Sequence, residues 1–156
     1  MKEFTHIDKK NNPCMVDISN KNETFRSAVA VSEIWLPEVV RKQFKEGDIQ
    51  SKKGPVFTTA IIAGTMALKQ TSSLIPFCHQ LNIEGSKIEI DLKNEHAVIR
   101  CEVRTFGKTG VEMEALTGAQ IAALTIYDMC KAFGHEMKIE NCQLIEKLGG
   151  KSDFKN

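Results

Sequence analysis

Residues 87–103 read KIEIDLKNEHAVIRCEV, and the alternation within this stretch decides the fold class. Apolar and charged residues alternate on both sides of Asn94-Glu95, whose composition is typical of a turn. Alternation of this kind places the apolar side chains on one face of a strand and the charged ones on the other. The stretch therefore predicts an antiparallel hairpin with one buried face. The apolar positions are Ile88, Ile90, Leu92, Ala97, Ile99, Cys101 and Val103.

Helical patterns lie on both sides of this hairpin. Pro37 suits the first turn of a short helix that Gly47 ends, because proline presets the backbone angle of that turn. The segment that ends at Gly134 is apolar nearly all round, which indicates a buried helix. In chain order the predicted elements are a strand at 24–34, helices at 37–46 and 56–72, the hairpin at 87–103, a helix at 111–133 and a strand at 137–146.

This order of elements predicts an α+β fold of the ferredoxin-like (βαββαβ) type. An antiparallel sheet then has its helices packed on one face, and its other face is wet or covered by another subunit. A chain of 156 residues suits a single domain, 1–156. Its polar residues 1–23 are predicted to form an N-terminal arm, and residues 148–156 a flexible C-terminal tail.

Composition excludes several classes of partner. A net charge of +1 gives no overall attraction to nucleic acid, and no apolar run reaches the roughly 18 residues of a membrane span. The first residues, MKEFTHIDKKNNP, lack the apolar core of a signal peptide. Five scattered cysteines without a CxxC pair indicate reduced thiols and offer no zinc site. We therefore expect a cytoplasmic protein without a bound metal, a nucleic-acid partner or a membrane segment.

Residues 107–118 read GKTGVEMEALTG and begin with an incomplete phosphate-binding motif. A P-loop needs a glycine five residues before its Gly-Lys-Thr, and this chain has Glu102 there. We therefore reject a P-loop, although Lys108 can still lie near a phosphate. Glu112 and Glu114 have two explanations. They place favourable negative charge at a helix N-terminus, or they accept hydrogen bonds from the N–H edge of a ring such as guanine.

The predicted helix at 111–133 carries a polar stripe despite its apolar surroundings. Asp128 and Lys131 are three residues apart, so they form an ordinary helix ion pair or a catalytic pair. In an apolar environment desolvation lowers the pKa of a lysine, which suits acid–base chemistry. Both explanations stay open on spacing alone.

His79 and a set of basic residues complete the candidates. His79 follows Pro76 on a connection and is a core residue, a metal ligand or a substrate contact, metal being the weakest of the three. The basic residues are ordinary surface charges unless the fold brings them together, in which case they form a triphosphate site. These residues are Arg26, Lys53, Lys69, Lys108, Lys147 and Lys151.

Six stretches together carry a family resemblance that covers nearly the whole chain. They are FTHID (4–8), MVDIS (15–19), KGPVFTTAIIAG (53–64), SSLIPFCHQL (72–81), GKTGVEMEALT (107–117) and LTIYDMCKA (124–132). In these stretches the chain resembles the cyclic pyranopterin monophosphate synthases, the molybdenum cofactor biosynthesis protein C (MoaC) family. The resemblance implies a ferredoxin-like lyase that converts a cyclised dihydroguanosine triphosphate to cyclic pyranopterin monophosphate and pyrophosphate.

The resemblance also implies roles for particular residues. It makes Asp128 and Lys131 the central acid–base pair and Lys53 a second catalytic or phosphate-proximal lysine. The residues implied in substrate binding are Phe77, Cys78, His79, Glu112, Met113 and Glu114, with Arg26, Lys147 and Lys151 for the triphosphate. Family members are homohexamers, built as trimers of dimers with shared sites, and act after a radical SAM GTP cyclase. No cofactor is required, although Mg²⁺ can accompany the triphosphate.

Three departures from the family pattern leave a second class of function open. Pro55 stands where many relatives have Asp, Gln80 where they have Pro, and Ile61 where they often have Arg. The alternative is a ferredoxin-like nucleotide-binding or regulatory paralogue without catalysis. None of the three departures touches Asp128 or Lys131, so we expect an active enzyme.

Overall fold

The main sheet of the protein has the strand order of a ferredoxin-like fold. The structure, a computed structural model, describes residues 6–8 and 10–156. The residues of the predicted arm at 1–5 and Lys9 lie outside the described ones. The strands are β1 (Thr24–Trp35), β2 (Phe44–Lys45), β3 (Asp48–Ser51), β4 (Gly54–Pro55), β5 (Gly85–Lys93), β6 (His96–Gly107), β7 (Lys138–Leu148) and β8 (Phe154–Lys155). The helices are α1 (Glu38–Arg41), α2 (Val56–Leu68), α3 (Thr71–Leu74) and α4 (Glu112–Cys130), and a 3₁₀ turn follows at Lys131–Phe133.

The sheet runs in the order β5-β6-β1-β7-β8, and each neighbouring pair is antiparallel. Without the short β8, this is the arrangement expected of the βαββαβ order. The hairpin of β5 and β6 turns at Asn94, which has a φ of 53°. The predicted α+β ferredoxin-like fold is confirmed.

The core lies between one face of this sheet and the helices α2 and α4. Alternate residues of β6 from Ala97 to Val103 are buried, as the hairpin pattern predicts. The two helices approach closely at Gly64 and Gly118, because a Cβ on Gly64 would lie 2.7 Å from the Gly118 carbonyl oxygen. In residues 6–8 and 10–156, no helix combines the length and apolar character needed to cross a membrane.

The segment 37–46, predicted as one helix, is helical only in its first half. Helix α1 ends at Arg41, and a small sheet of β2, β3 and β4 follows. Positive φ angles at Glu46 and Gly47 turn the chain back, which brings the fully buried Ile49 into the core. Burial of apolar residues on both arms of this turn overrides the local helical pattern. The resulting turn at 51–54 positions Lys53.

The C-terminal segment 148–156, predicted as a flexible tail, instead returns to the sheet. Gly149 has a φ of 85°, and its N–H donates to Asp153 Oδ1 at 2.9 Å. Phe154 and Lys155 then pair with β7, and the Asn156 N–H donates to the Ile145 carbonyl at 2.9 Å. The segment therefore contains a turn and the short strand β8. The turn between β7 and β8 brings Lys151 to the site described below.

Asp48 at the start of β3 caps the start of α2. Its carboxylate accepts hydrogen bonds from the backbone N–H groups of Phe57 and Thr58 and from the Thr58 hydroxyl. Replacing Asp48 with alanine is expected to lower the free energy of unfolding by about 1–2 kcal/mol, because N–H groups of the first turn lose their partner. Urea unfolding at a fixed protein concentration measures this, with the exposed Asp91→Ala as the matched control. Equal midpoints for the two variants would contradict the capping role.

Candidate active site

A carboxylate held between two lysines lies at the C-terminal end of α4. Asp128 Oδ1 is 2.7 Å from Lys131 Nζ, and Asp128 Oδ2 is 3.0 Å from Lys53 Nζ. Lys53 also donates to the Asp128 backbone carbonyl at 3.2 Å. These three residues are called the terminal cluster. It unites the residues predicted as catalytic, although Lys53 is 75 positions from Asp128 in the chain.

The terminal cluster is open to solvent in the single chain, contrary to the expectation of a buried pair. Its side chains are 49–55% exposed, because Asp128 points outward while Ile126 and Met129 of the same turn face the core. Hydrogen bonds from Lys131 and Lys53 hold the pKa of Asp128 below its usual value, and the bond to Asp128 raises the pKa of Lys131. The expected lowering of the lysine pKa by desolvation is therefore wrong for the isolated chain.

A cavity of about 450 Å³ lies at the other end of α4, where the helix begins. Its walls come from the N-terminal arm, the segment after α3, the loop that precedes α4 and the C-terminal turn. The residues that line it are His6, Val16, Ile18, Lys21, Phe77, Cys78, His79, Leu81, Thr109, Gly110, Glu112, Met113, Glu114 and Lys151. Seven of the residues predicted to bind substrate are among them, so the fold brings this part of the predicted site together.

Glu112 and Glu114 have different electrostatic environments in this cavity. Glu112 Oε1 is 3.2 Å from Lys147 Nζ of β7, so its charge is compensated. Glu114 is only 4% exposed, and burial followed by the nearby charge of Glu112 raises its pKa to about 7. Burial and the Glu114 charge also raise the pKa of the Cys78 thiol. The cavity therefore contains one compensated carboxylate and one buried carboxyl that titrates near neutrality.

Replacing Glu114 with glutamine is expected to raise the melting temperature by about 2–4 °C above pH 7. The pKa of Glu114 is about 7 in the folded chain and 4.5 as its ordinary value, so the folded state binds the extra proton. The stability from that proton is complete below pH 4.5 and is lost as the pH rises through 7. The increase in melting temperature that Glu114→Gln produces should therefore become smaller towards pH 5. Thermal unfolding at pH 5 and pH 8, with the exposed Glu23→Gln as control, measures it, and a gain independent of pH would contradict the titration.

His79 and Lys108 hold the N-terminal arm against the cavity. The Nε2 atom of His79 lies 2.7 Å from the Val16 carbonyl oxygen, so this nitrogen carries the proton when the ring is neutral. Lys108 Nζ donates to the Ser19 carbonyl at 3.2 Å. Gly107 ends β6, so the Gly-Lys-Thr stretch forms no P-loop. Sequence reasoning missed Val16, Ile18 and Lys21 as cavity residues, although the MVDIS stretch at 15–19 was a signal for Val16 and Ile18.

Arg26 and the other triphosphate candidates flank the cavity. Arg26 Nε donates to the Gly107 carbonyl at 3.3 Å, and a Cβ on Gly150 would lie 3.2 Å from Arg26 Nη1. Arg26 is thus next to the turn that carries Lys151, while Lys147 is engaged with Glu112. Among residues 6–8 and 10–156, no group of three or more His, Cys, Asp or Glu side chains is placed to hold a metal ion.

The cavity and the terminal cluster are not brought together within one chain. Glu114 and Asp128 are 14 positions apart on one continuous helix, which corresponds to roughly 21 Å along its axis. A small molecule in the cavity of one chain is therefore beyond reach of Asp128, Lys131 and Lys53 of the same chain. Of the three family departures, Ile61 packs against the core, and Pro55 directly precedes α2.

The geometry defines a ferredoxin-like α+β protein with a cavity lined by apolar and charged side chains and a separate Lys-Asp-Lys cluster. The model of the MoaC family matches residues 15–150. This chain belongs to the MoaC family.

Relatives match along nearly all of the chain. A cyclic pyranopterin monophosphate synthase of Xanthomonas campestris pv. campestris (strain B100) is 52% identical over 152 residues, 97% of this chain and 92% of that protein. A protein of the same name from Clostridium perfringens is 49% identical, over 96% of this chain and 95% of its own length. A molybdenum cofactor biosynthesis bifunctional protein of Synechocystis sp. is 52% identical over 96% of this chain and 45% of its own length.

Proposed function

We propose that this protein is a cyclic pyranopterin monophosphate synthase that acts in molybdenum cofactor biosynthesis. It converts a cyclised dihydroguanosine triphosphate to cyclic pyranopterin monophosphate and pyrophosphate. Family membership and the names of full-length relatives support this function. The observation that carries it is the terminal cluster, because a carboxylate that holds two lysines is suited to acid–base catalysis. A non-catalytic paralogue is not favoured, since the departures at Pro55, Gln80 and Ile61 leave this cluster complete.

The chemistry divides between the two sets of residues. Rearrangement of the purine and sugar needs several proton transfers, which Asp128, Lys131 and Lys53 perform. Closing the cyclic phosphate expels pyrophosphate by cleavage of a phosphorus–oxygen bond, which is the basis for the lyase class. Glu112 and Glu114 bind the N–H edge of the purine, together with Phe77, Cys78, His79 and Met113. Arg26, Lys147 and Lys151 bind the triphosphate and stabilise the charge that develops as pyrophosphate leaves.

The active site is shared between subunits in this proposal. The roughly 21 Å between Glu114 and Asp128 along α4 requires a second chain to bring a terminal cluster to each cavity. Apolar side chains on the outer faces of α2 and α4 support association, because exposed apolar groups favour burial at an interface. They are Ile62, Met66 and Leu124. We propose a homohexamer built as a trimer of dimers, and sedimentation that shows a stable monomer at micromolar concentration would contradict it.

The reaction fits a defined cellular setting. The substrate comes from a radical SAM GTP cyclase, which sets the oxidation state, so the synthase itself needs no redox cofactor. Mg²⁺ can accompany the triphosphate without joining the proton transfers, and activity is expected to persist in EDTA. All five cysteines are free thiols, which suits the reducing conditions of the cytoplasm.

Incubation of the purified protein with the cyclised dihydroguanosine triphosphate tests the function directly. The expected result is cyclic pyranopterin monophosphate together with an equal amount of pyrophosphate. Binding without turnover would support the non-catalytic alternative. Absence of both binding and turnover would contradict the assignment of substrate and site.

A further inference from the structure

The described part of the N-terminal arm contributes to the wall of the cavity. Residues 16–21, here called the strap, form part of the cavity wall, since Val16, Ile18 and Lys21 are among the residues that line it. His6 precedes the strap in the chain, and its ring stacks on Phe77 with 6.3 Å between ring centroids. The strap lies outside helices and strands, so its position depends on specific contacts.

Two side chains from the body of the domain hold the strap. His79 bonds to the Val16 carbonyl at 2.7 Å, and Lys108 donates to the Ser19 carbonyl at 3.2 Å. Within the strap, Asp17 Oδ1 accepts from the Ser19 N–H at 2.8 Å and from the Ser19 hydroxyl at 2.6 Å. The Lys21 N–H donates to the Ile18 carbonyl at 3.0 Å, which forms a turn. These bonds give Lys21 a defined place at the cavity.

The charges around the cavity distinguish Lys21 and Lys151 from Lys147. Lys147 forms an ion pair with Glu112, and the Glu114 side chain is buried. Lys21 and Lys151 also line the cavity, but they form no ion pair with the described residues. A lysine that lines a cavity and has no carboxylate partner among the described residues is suited to bind phosphate oxygens as a point charge. Lys21 comes from the arm and Lys151 from the turn after β7, so the two approach the cavity from different segments.

We infer that Lys21 is a polyphosphate-binding residue, and that the strap, held by His79 and Lys108, positions it. In this arrangement Lys108 is a positioning residue, because it acts on Lys21 through the backbone of Ser19. His79 holds the strap at the Val16 carbonyl in addition to its proposed contact with the purine. The inference rests on the proposed function for the identity of the substrate. The interaction with phosphate can nevertheless be measured without turnover.

Calorimetric titration with inorganic tripolyphosphate tests the inference on the full-length protein. Lys21→Ala is expected to weaken binding by about five- to tenfold, and Lys21→Arg to stay within about threefold of wild type. Lys10→Ala is the matched control, since Lys10 is exposed on the same arm and does not line the cavity, and it should change binding less than about twofold. Equal effects of Lys21→Ala and Lys10→Ala would overturn the inference.

A double-mutant cycle separates the strap from simple charge removal. Lys108→Met is expected to weaken tripolyphosphate binding, and its effect should largely disappear in the Lys21→Ala background, because the strap then has no lysine to position. Additive effects would show that Lys108 acts independently of Lys21 and would overturn the positioning role. In turnover assays Lys21→Ala should raise KM about five- to tenfold with kcat within about twofold. Failure of turnover in wild type would contradict the proposed function alone, since the tripolyphosphate titrations do not depend on it.

Discussion

Lys131→Ala is expected to lower turnover by roughly a hundredfold or more while leaving the chain folded, since general acid–base catalysis contributes effects of this size. The Lys131 ammonium is 2.7 Å from Asp128 Oδ1 and about half exposed, so its removal opens no core cavity. The melting temperature should therefore stay within about 2 °C of wild type. A loss of activity without a loss of stability is the result that identifies a catalytic group.

Asp128→Asn provides the complementary variant. It retains the shape of the side chain but removes the charge that holds Lys131 and Lys53 together, so a loss of similar size is expected. Pyrophosphate release and pterin formation, measured separately, report on turnover. Lys87→Ala is the control, because Lys87 forms an exposed ion pair with Glu89 at 2.6 Å on β5, far along the chain from the terminal cluster. A near-normal rate for either Lys131→Ala or Asp128→Asn would refute the acid–base assignment.

The fold could be predicted where one regular pattern continued over many residues. Alternation in β5 and β6 and the apolar helix α4 gave correct elements, and the order of elements then determined the sheet. The small sheet of β2 to β4 was missed, because its strands are two to four residues long and the helical pattern from Pro37 continues through β2. Its formation depends on the burial of Ile49 against residues distant in the chain, which local propensity does not reveal.

The candidate site was predictable residue by residue but not in its arrangement. Residues 77–79 and residues 112–114 each line the cavity as a group, because residues adjacent in the chain are also close in space. The sequence pattern did not reveal the distance between Glu114 and Asp128. Their positions around the helix axis differ by only about 40°, which suggests proximity, but they are separated by roughly 21 Å along that axis. Lys21 was missed because an isolated lysine on a polar arm carries no periodic signal.

Mixing two inactive variants is expected to restore activity, which is the second large effect. One variant is Lys131→Ala, which lacks a working terminal cluster, and the other is the double variant Glu112→Ala/Lys147→Ala, which lacks the ion pair at the cavity. Because both members of this ion pair are removed together, the double variant leaves no unpaired charge at that position. If each site combines the cavity of one subunit with the terminal cluster of another, some mixed sites contain both intact halves.

The amount of recovered activity follows from random assembly. With equal amounts of the two variants, each site has about one chance in four of combining an intact cavity with an intact terminal cluster. The mixture should therefore reach about a quarter of wild-type activity per site, although each variant alone is nearly inactive. Co-refolding or co-expression is needed, so that subunits exchange before the assay. Lys131→Ala mixed with Asp128→Asn is the control, because both variants damage the terminal cluster and no combination repairs it.

The complementation assay tests the shared active site most directly. The shared site predicts roughly quarter-level production of cyclic pyranopterin monophosphate from Lys131→Ala mixed with Glu112→Ala/Lys147→Ala, and none above background from the control mixture. A mixture that stays as inactive as its components, in oligomers shown to contain both variants, would contradict a site formed between subunits.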